Sequence, residues 1–130
     1  NNLFNYLLDG AELVALHKNR FWKSADGYLL DVGAFVSALE YASGKPASVI
    51  GKPNLNLFLL ASKEWNIPVE EIFMVGDDID VDVSGALNAG MKSVLVKTGK
   101  FRNETLLSSN LEPNYIIDSI ADLPGIINLG

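Results

Sequence analysis

The sequence contains no cysteine and only one histidine, His17. The first absence excludes a disulfide framework and zinc sites built on thiolates. Basic residues are also scarce: Lys and Arg total 10 against 16 Asp and Glu, a formal net charge of −6. A general nucleic-acid binder needs a basic stripe to displace counterions, so no nucleic-acid partner is expected. No apolar run is long enough to span a bilayer, and no basic-then-apolar signal opens the chain, so no membrane partner is expected either. These absences fit a cytoplasmic protein. The chain begins at Asn1 and not at Met, which reads as a processed or trimmed polypeptide.

What is present suffices for a core. The apolar fraction is 48% over 130 residues, which implies one domain or pieces of two and excludes a disordered tail. Leu13 to Leu16 reads as a short buried strand, followed by aromatic Phe21 and Trp22 and a turn at Asp26-Gly27. Asp31 is a helix cap, with Val32, Phe35, Val36 and Leu39 at the spacing of one helical face and Gly44 as the stop. Ala47 to Ile50 is a second short strand ending at Gly51-Lys52-Pro53. Pro53 suits the first turn of the next helix, Asn54 to Trp65. Then come a non-alternating strand Ile72 to Val75, a helix Val83 to Ala89 stopped by Gly90, and a strand Ser93 to Val96. A strand Tyr115 to Ile117 and a short helix near Ser119 to Leu123 close the chain. From Ala47 onward strands alternate with helices, as in a parallel α/β sheet covered on its faces. The region before it is less regular, and the boundary falls near Ser48.

The chemistry concentrates in Gly76-Asp77-Asp78-Ile79-Asp80-Val81-Asp82. Four carboxylates so close repel one another unless a cation or solvent relieves them. Asp77 stands where a buried strand ends, the place where open parallel sheets bind ligands. Oxygen donors with no His or Cys nearby favour a hard cation, Mg²⁺ before Zn²⁺. The plainer reading, that acids cap the following helix, suits Asp78 and Asp80, and Asp82 can do both. Gly85, Ala86, Ala89 and Gly90 would let the next helix lie close to the sheet. A calcium loop starting at Asp80 fails because Met91 occupies the position that needs a bidentate Glu. A polymerase metal hairpin fails because a short Gly/Ala-rich helix follows the acids. Lys52, fixed between Gly51 and Pro53 at a helix start, can aim its ammonium at a phosphate from the same end of the sheet as Asp77.

Taken in order, Gly51-Lys52-Pro53, Gly76-Asp77-Asp78 with Asp82, Gly85-Ala86 with Ala89-Gly90, and Thr98-Gly99-Lys100 resemble the haloacid dehalogenase (HAD) superfamily in its NagD-like branch. Asp31 to Phe35, Ala38 to Ala42 and Lys97 to Arg102 look most like the phospholysine phosphohistidine inorganic pyrophosphate phosphatase group. The resemblance implies a Mg²⁺-dependent phosphatase with a Rossmann-like core and an inserted α/β cap, working through an aspartyl-phosphate. It implies Lys52 as the catalytic lysine that offsets charge, Asp77 as the metal ligand, Asp82 as its support and Asp78 as a lesser metal candidate. A small phosphorylated metabolite or pyrophosphate is the implied substrate.

The sequence departs from that family in its first motif. An apolar strand followed by Asp-x-Asp-Gly is absent: Leu7-Leu8-Asp9-Gly10 carries Ala11 where the second Asp belongs, and Asp31 is followed by Gly33. The second motif, a Ser or Thr after another strand, cannot be placed. Residues 1–48 are therefore read as the later part of the cap and 49–130 as the later part of the core. The nucleophile is expected in a missing N-terminal segment, and the strand Ile72 to Val75 as a sheet edge open to another segment or to self-association. The alternative is a non-catalytic cation-binding or interaction module of the same fold. A signalling receiver is disfavoured because its lysine follows the acids, whereas Lys52 precedes them. His17 is read as structural. Phe21, Trp22 and Tyr28 are read as core, with a cap surface as the alternative. Lys92, Lys97, Lys100 and Arg102 are read as surface charge, with Lys100 and Arg102 also candidates for substrate-edge contacts.

Overall fold

A computed structural model describes residues 1–127. Two compact units divide the chain, Asn1–Asn54 and Leu55–Gly130.

In the first unit, helix α1 (Asn2–Leu8) buries Leu7 and packs on α2 (Val32–Ser43). Strand β1 (Val14–Ala15) lies parallel to β4 (Ser48–Val49), with Val14 opposite Ser48 and Ala15 opposite Val49. Between them, β2 (Phe21–Ser24) and β3 (Gly27–Leu30) form an antiparallel hairpin. Its turn is where Asp26-Gly27 placed it, and the Ser24 hydroxyl closes it by donating to the Gly27 carbonyl at 3.0 Å and accepting from the Asp26 amide at 3.2 Å. Phe21 and Tyr28 meet edge to face across the hairpin, ring centroids 5.3 Å apart.

Helix α2 begins as its sequence foretells. The Asp31 carboxylate accepts from the Val32 amide at 2.7 Å, and Gly44 ends the helix at φ 69°. Its buried face is narrower than the spacing predicts. Val36 is buried, but Phe35 is 60% exposed. One short helix and strands of two to four residues offer α2 too small a surface to cover a full apolar stripe. Glu40 is held by Lys18 and by the Ala47 amide, 2.9 Å away, which ties α2 to the segments on either side.

In the second unit, helix α3 (Leu55–Trp65) leads through a 3₁₀ turn (Val69–Glu71) to β5 (Phe73–Gly76). A π-helical turn (Ile79–Val83) and helix α4 (Ser84–Ala89) follow, then β6 (Lys92–Val96). Helix α5 (Asn103–Ser108), β7 (Tyr115–Ile117), a 3₁₀ turn (Ile120–Asp122) and α6 (Leu123–Ile127) complete it. The sheet is parallel, in the order β5-β6-β7. Central β6 is an apolar run because both faces are covered, and Val94 and Leu95 are fully buried. Fully buried Ser93 gives β7 its register. Its amide and hydroxyl donate to the Asn114 side-chain carbonyl at 2.8 and 3.1 Å, and the Asn114 amide returns a bond to the hydroxyl at 3.0 Å.

Three expectations change here. Among the described residues, the strand around Ser48–Val49 pairs with β1 in a two-stranded sheet of its own. Pro53 stands in the turn ahead of α3, which begins at Leu55, and not in its first turn. Gly85 makes room for the Phe58 ring of α3 and not for the sheet: a Cβ there would lie 2.1 Å from the ring. Phe58, Ile72, Ala86, Ala89 and Met91 form the cluster beneath it. As expected, β5 stands at one end of its sheet, with β6 its one strand neighbour among the described residues.

Candidate functional site

The register of β5 on β6 builds the site. Gly76 lies opposite Leu95, so the residues that follow both strands emerge at the same carboxyl end. Asp77 and Asp78 come from one strand and the Thr98-Gly99-Lys100 turn from the other. The turn closes on the acids: the Lys100 amide donates to Oδ2 of Asp77 at 2.6 Å. Gly99 permits that approach. It sits at φ 56°, and a Cβ on it would lie 1.9 Å from the same carboxylate oxygen.

The acidic run does not continue straight into α4. The π-helical turn brings the Asp82 and Val83 amides to the Asp78 carbonyl at 2.8 and 3.3 Å. One extra residue per turn swings Asp82 inward, where it is 5% exposed. Its carboxylate lies over Gly76, where a Cβ would come within 2.2 Å of Oδ2, and accepts from the Asp78 amide at 3.3 Å. Asp82 therefore braces the strand end. Asp78 caps the π-helical turn: its Oδ1 accepts from the Asp80 amide at 3.1 Å. Its Oδ2 meets the Lys100 ammonium at 2.8 Å, with both side chains largely buried. Asp80 is exposed.

Lys100 is thus a site residue that a reading as surface charge or substrate edge undervalued. The available signal was its place directly after the strand neighbouring that of Asp77. With Asp78 taken by Lys100 and Asp82 turned onto the strand end, no three carboxylate or imidazole side chains among the described residues group to hold a metal. The donor chemistry is nonetheless that of a hard cation: carboxylates only, with Asp77 at the open end of a parallel strand. Asp77 can supply one ligand of such a site, with Asp82 behind it.

Lys52 belongs to the first unit. It lies half-buried in the turn after β4, which the Asn54 amide closes by donating to the Gly51 carbonyl at 2.9 Å. His17 is half-buried too, its Nδ1 accepting from the Asn19 amide at 3.5 Å, a local structural bond. Among the described residues no helix is long and apolar enough to cross a membrane.

A parallel sheet flanked by helices, with acidic side chains gathered beyond its carboxyl edge, defines a Rossmann-like α/β protein. The chain belongs to the HAD-hydrolase-like family, which matches residues 49–123. It is 52% identical over 102 residues to haloacid dehalogenase-like hydrolase domain-containing protein 2 of Bos taurus, spanning 78% of this chain and 39% of that one. It is 39% identical over 124 residues to phospholysine phosphohistidine inorganic pyrophosphate phosphatase of the same organism, spanning 94% and 46%. In structure it resembles 4-nitrophenylphosphatase from Thermotoga maritima, with TM-score 0.83, 30% identity, and 95% and 48% of the two chains covered. It thus spans less than half the length of these three relatives, two of which are named as phosphatases.

Proposed function

We propose that this chain is the later part of a HAD phosphatase, residues 1–48 from the cap and 49–130 from the Rossmann-like core. The substrate class is a small phosphate monoester or pyrophosphate, the cofactor Mg²⁺, and the setting cytoplasmic. The observation that carries the reading is the Asp77 carboxylate, held at the end of β5 by the Lys100 amide and flanked by buried Asp82. That anchoring leaves Oδ1 of Asp77 to face a cation, and Asp82 keeps the strand end from relaxing. Mg²⁺, when bound, would offset charge on the phosphoryl oxygens. Lys52, in the first unit, is the residue that the family resemblance implies as the charge-offsetting lysine, and its turn limits the freedom of its ammonium. Neither residue supplies a nucleophile.

The missing Asp-x-Asp-Gly supports a nucleophile supplied by a part of the parent protein outside these residues. This chain alone is therefore expected to leave p-nitrophenyl phosphate at the background rate with Mg²⁺. The parent protein is expected to turn it over and to lose that activity in Asp77→Asn. Turnover by the 130-residue chain that survives repurification and vanishes in Asp77→Asn would overturn the division of labour. The same missing motif favours a second reading, a non-catalytic cation-binding module. A parent sequence without an Asp-x-Asp-Gly strand would select it.

A further inference from the structure

The acidic loop contains its own counter-ion. Both oxygens of Asp78 are engaged, Oδ1 by the Asp80 amide and Oδ2 by the Lys100 ammonium. The Lys100 and Asp78 side chains are only 15% and 17% exposed, so water screens the pair poorly. The same lysine grips Asp77 through its backbone and not through its charge. One residue thus treats two adjacent carboxylates differently. It neutralises Asp78, and it orients Asp77 by one oxygen without neutralising it.

We propose that Lys100 is a positioning residue that holds Asp78 away from the cation, so that of these two neighbours only Asp77 serves as ligand. The inference rests on the Mg²⁺ reading of Asp77 given above. Its consequence is selectivity. Mg²⁺ keeps several waters and takes few carboxylates in strict octahedral geometry, whereas Ca²⁺ accepts more carboxylate oxygens and a looser shell. Denying the ion a second adjacent carboxylate disfavours Ca²⁺ more than Mg²⁺. The ammonium also weakens divalent binding overall by repulsion, so removing it should tighten the site.

Lys100→Met keeps the length and the backbone donor and removes the charge; Lys100→Gln is a second neutral variant that keeps a side-chain donor. Amide-resolved NMR titrations of the chain with MgCl₂ and with CaCl₂ read affinity without any turnover. Each neutral variant should bind Ca²⁺ roughly tenfold more tightly than wild type, with a smaller gain for Mg²⁺. Lys100→Arg should match wild type. Asp78→Asn combined with Lys100→Met restores the original charge balance and removes the second carboxylate, so it should return both affinities to wild-type values. Neutral variants that bind no more tightly than wild type, or a gain that persists in the double variant, overturn the proposal. A gain that survives Asp77→Asn in the Lys100→Met background leaves the Lys100–Asp78 role standing and sinks the Asp77 assignment instead.

Discussion

Gly99→Ala tests the geometry of the site most directly. Alanine at φ 56° incurs the left-handed backbone penalty, about 1 kcal/mol. The new Cβ would also lie 1.9 Å from Oδ2 of Asp77, so either the turn or the carboxylate must move. Either movement breaks the 2.6 Å bond from the Lys100 amide, whose acceptor is a carboxylate. Hydrogen bonds to charged groups contribute about 1.5–3 kcal/mol, so the total loss should be about 2.5–4 kcal/mol. Gly90→Ala in the same unit separates the two contributions. Gly90 has φ 81°, and a Cβ there meets only Val69 at an ordinary 3.6 Å, so it should show the backbone penalty alone. Urea unfolding followed by circular dichroism gives both values. A Gly99→Ala loss no larger than that of Gly90→Ala would mean that the turn does not grip Asp77.

Ser93→Ala should cost about 1–3 kcal/mol, because the two hydrogen bonds of the buried Ser93 hydroxyl to Asn114 are lost at about 0.5–1.5 kcal/mol each; a loss under about 0.5 kcal/mol would remove Ser93 as the pin of β7. The bond from Lys18, and after it the bond from the Ala47 amide, hold the Glu40 carboxyl below its usual value of 4.5. A lowered folded-state value means that Glu40 adds stability above the unfolded value and loses it as pH falls through the folded one. Acid unfolding below about pH 4.5 should therefore be less steep in Glu40→Gln than in wild type, and identical profiles would contradict the assignment. The outer edge of β5, which faces no strand among the described residues, should draw the chain into concentration-dependent association visible by light scattering. A monodisperse monomer that unfolds cooperatively at high concentration would contradict that expectation.

Local signals decided much of this protein. Asp31 and Gly44 delimit α2 because a cap and a left-handed stop act within a few residues of themselves. Strand β7 lies where Tyr115 to Ile117 placed it, and β6 extends that reading by one residue, to Lys92. The family was legible as well, since it rests on several short motifs in fixed order, and the match over residues 49–123 bears it out. Other elements lacked a local signal strong enough to be read. Helices α1 and α5 have no side-chain cap bond, and the strands of the 21–30 hairpin are four residues each.

Tertiary structure decided the partners. A two-residue strand carries no record of its neighbour, so only packing could join Ser48–Val49 to Val14–Ala15. Gly85 was legible as a close approach, but the approaching group, the Phe58 ring, lies far away in sequence. The four carboxylates were visible as a charge problem, yet their separate roles depend on a π-helical turn that rotates Asp82 inward. They depend equally on a lysine 22 residues beyond Asp78, which parallel strand register brings to the same edge. Spacing along the chain reveals which groups must find relief from one another. Hydrogen-bond register across the sheet determines what relieves them, because that register is a relation between segments and belongs to neither alone.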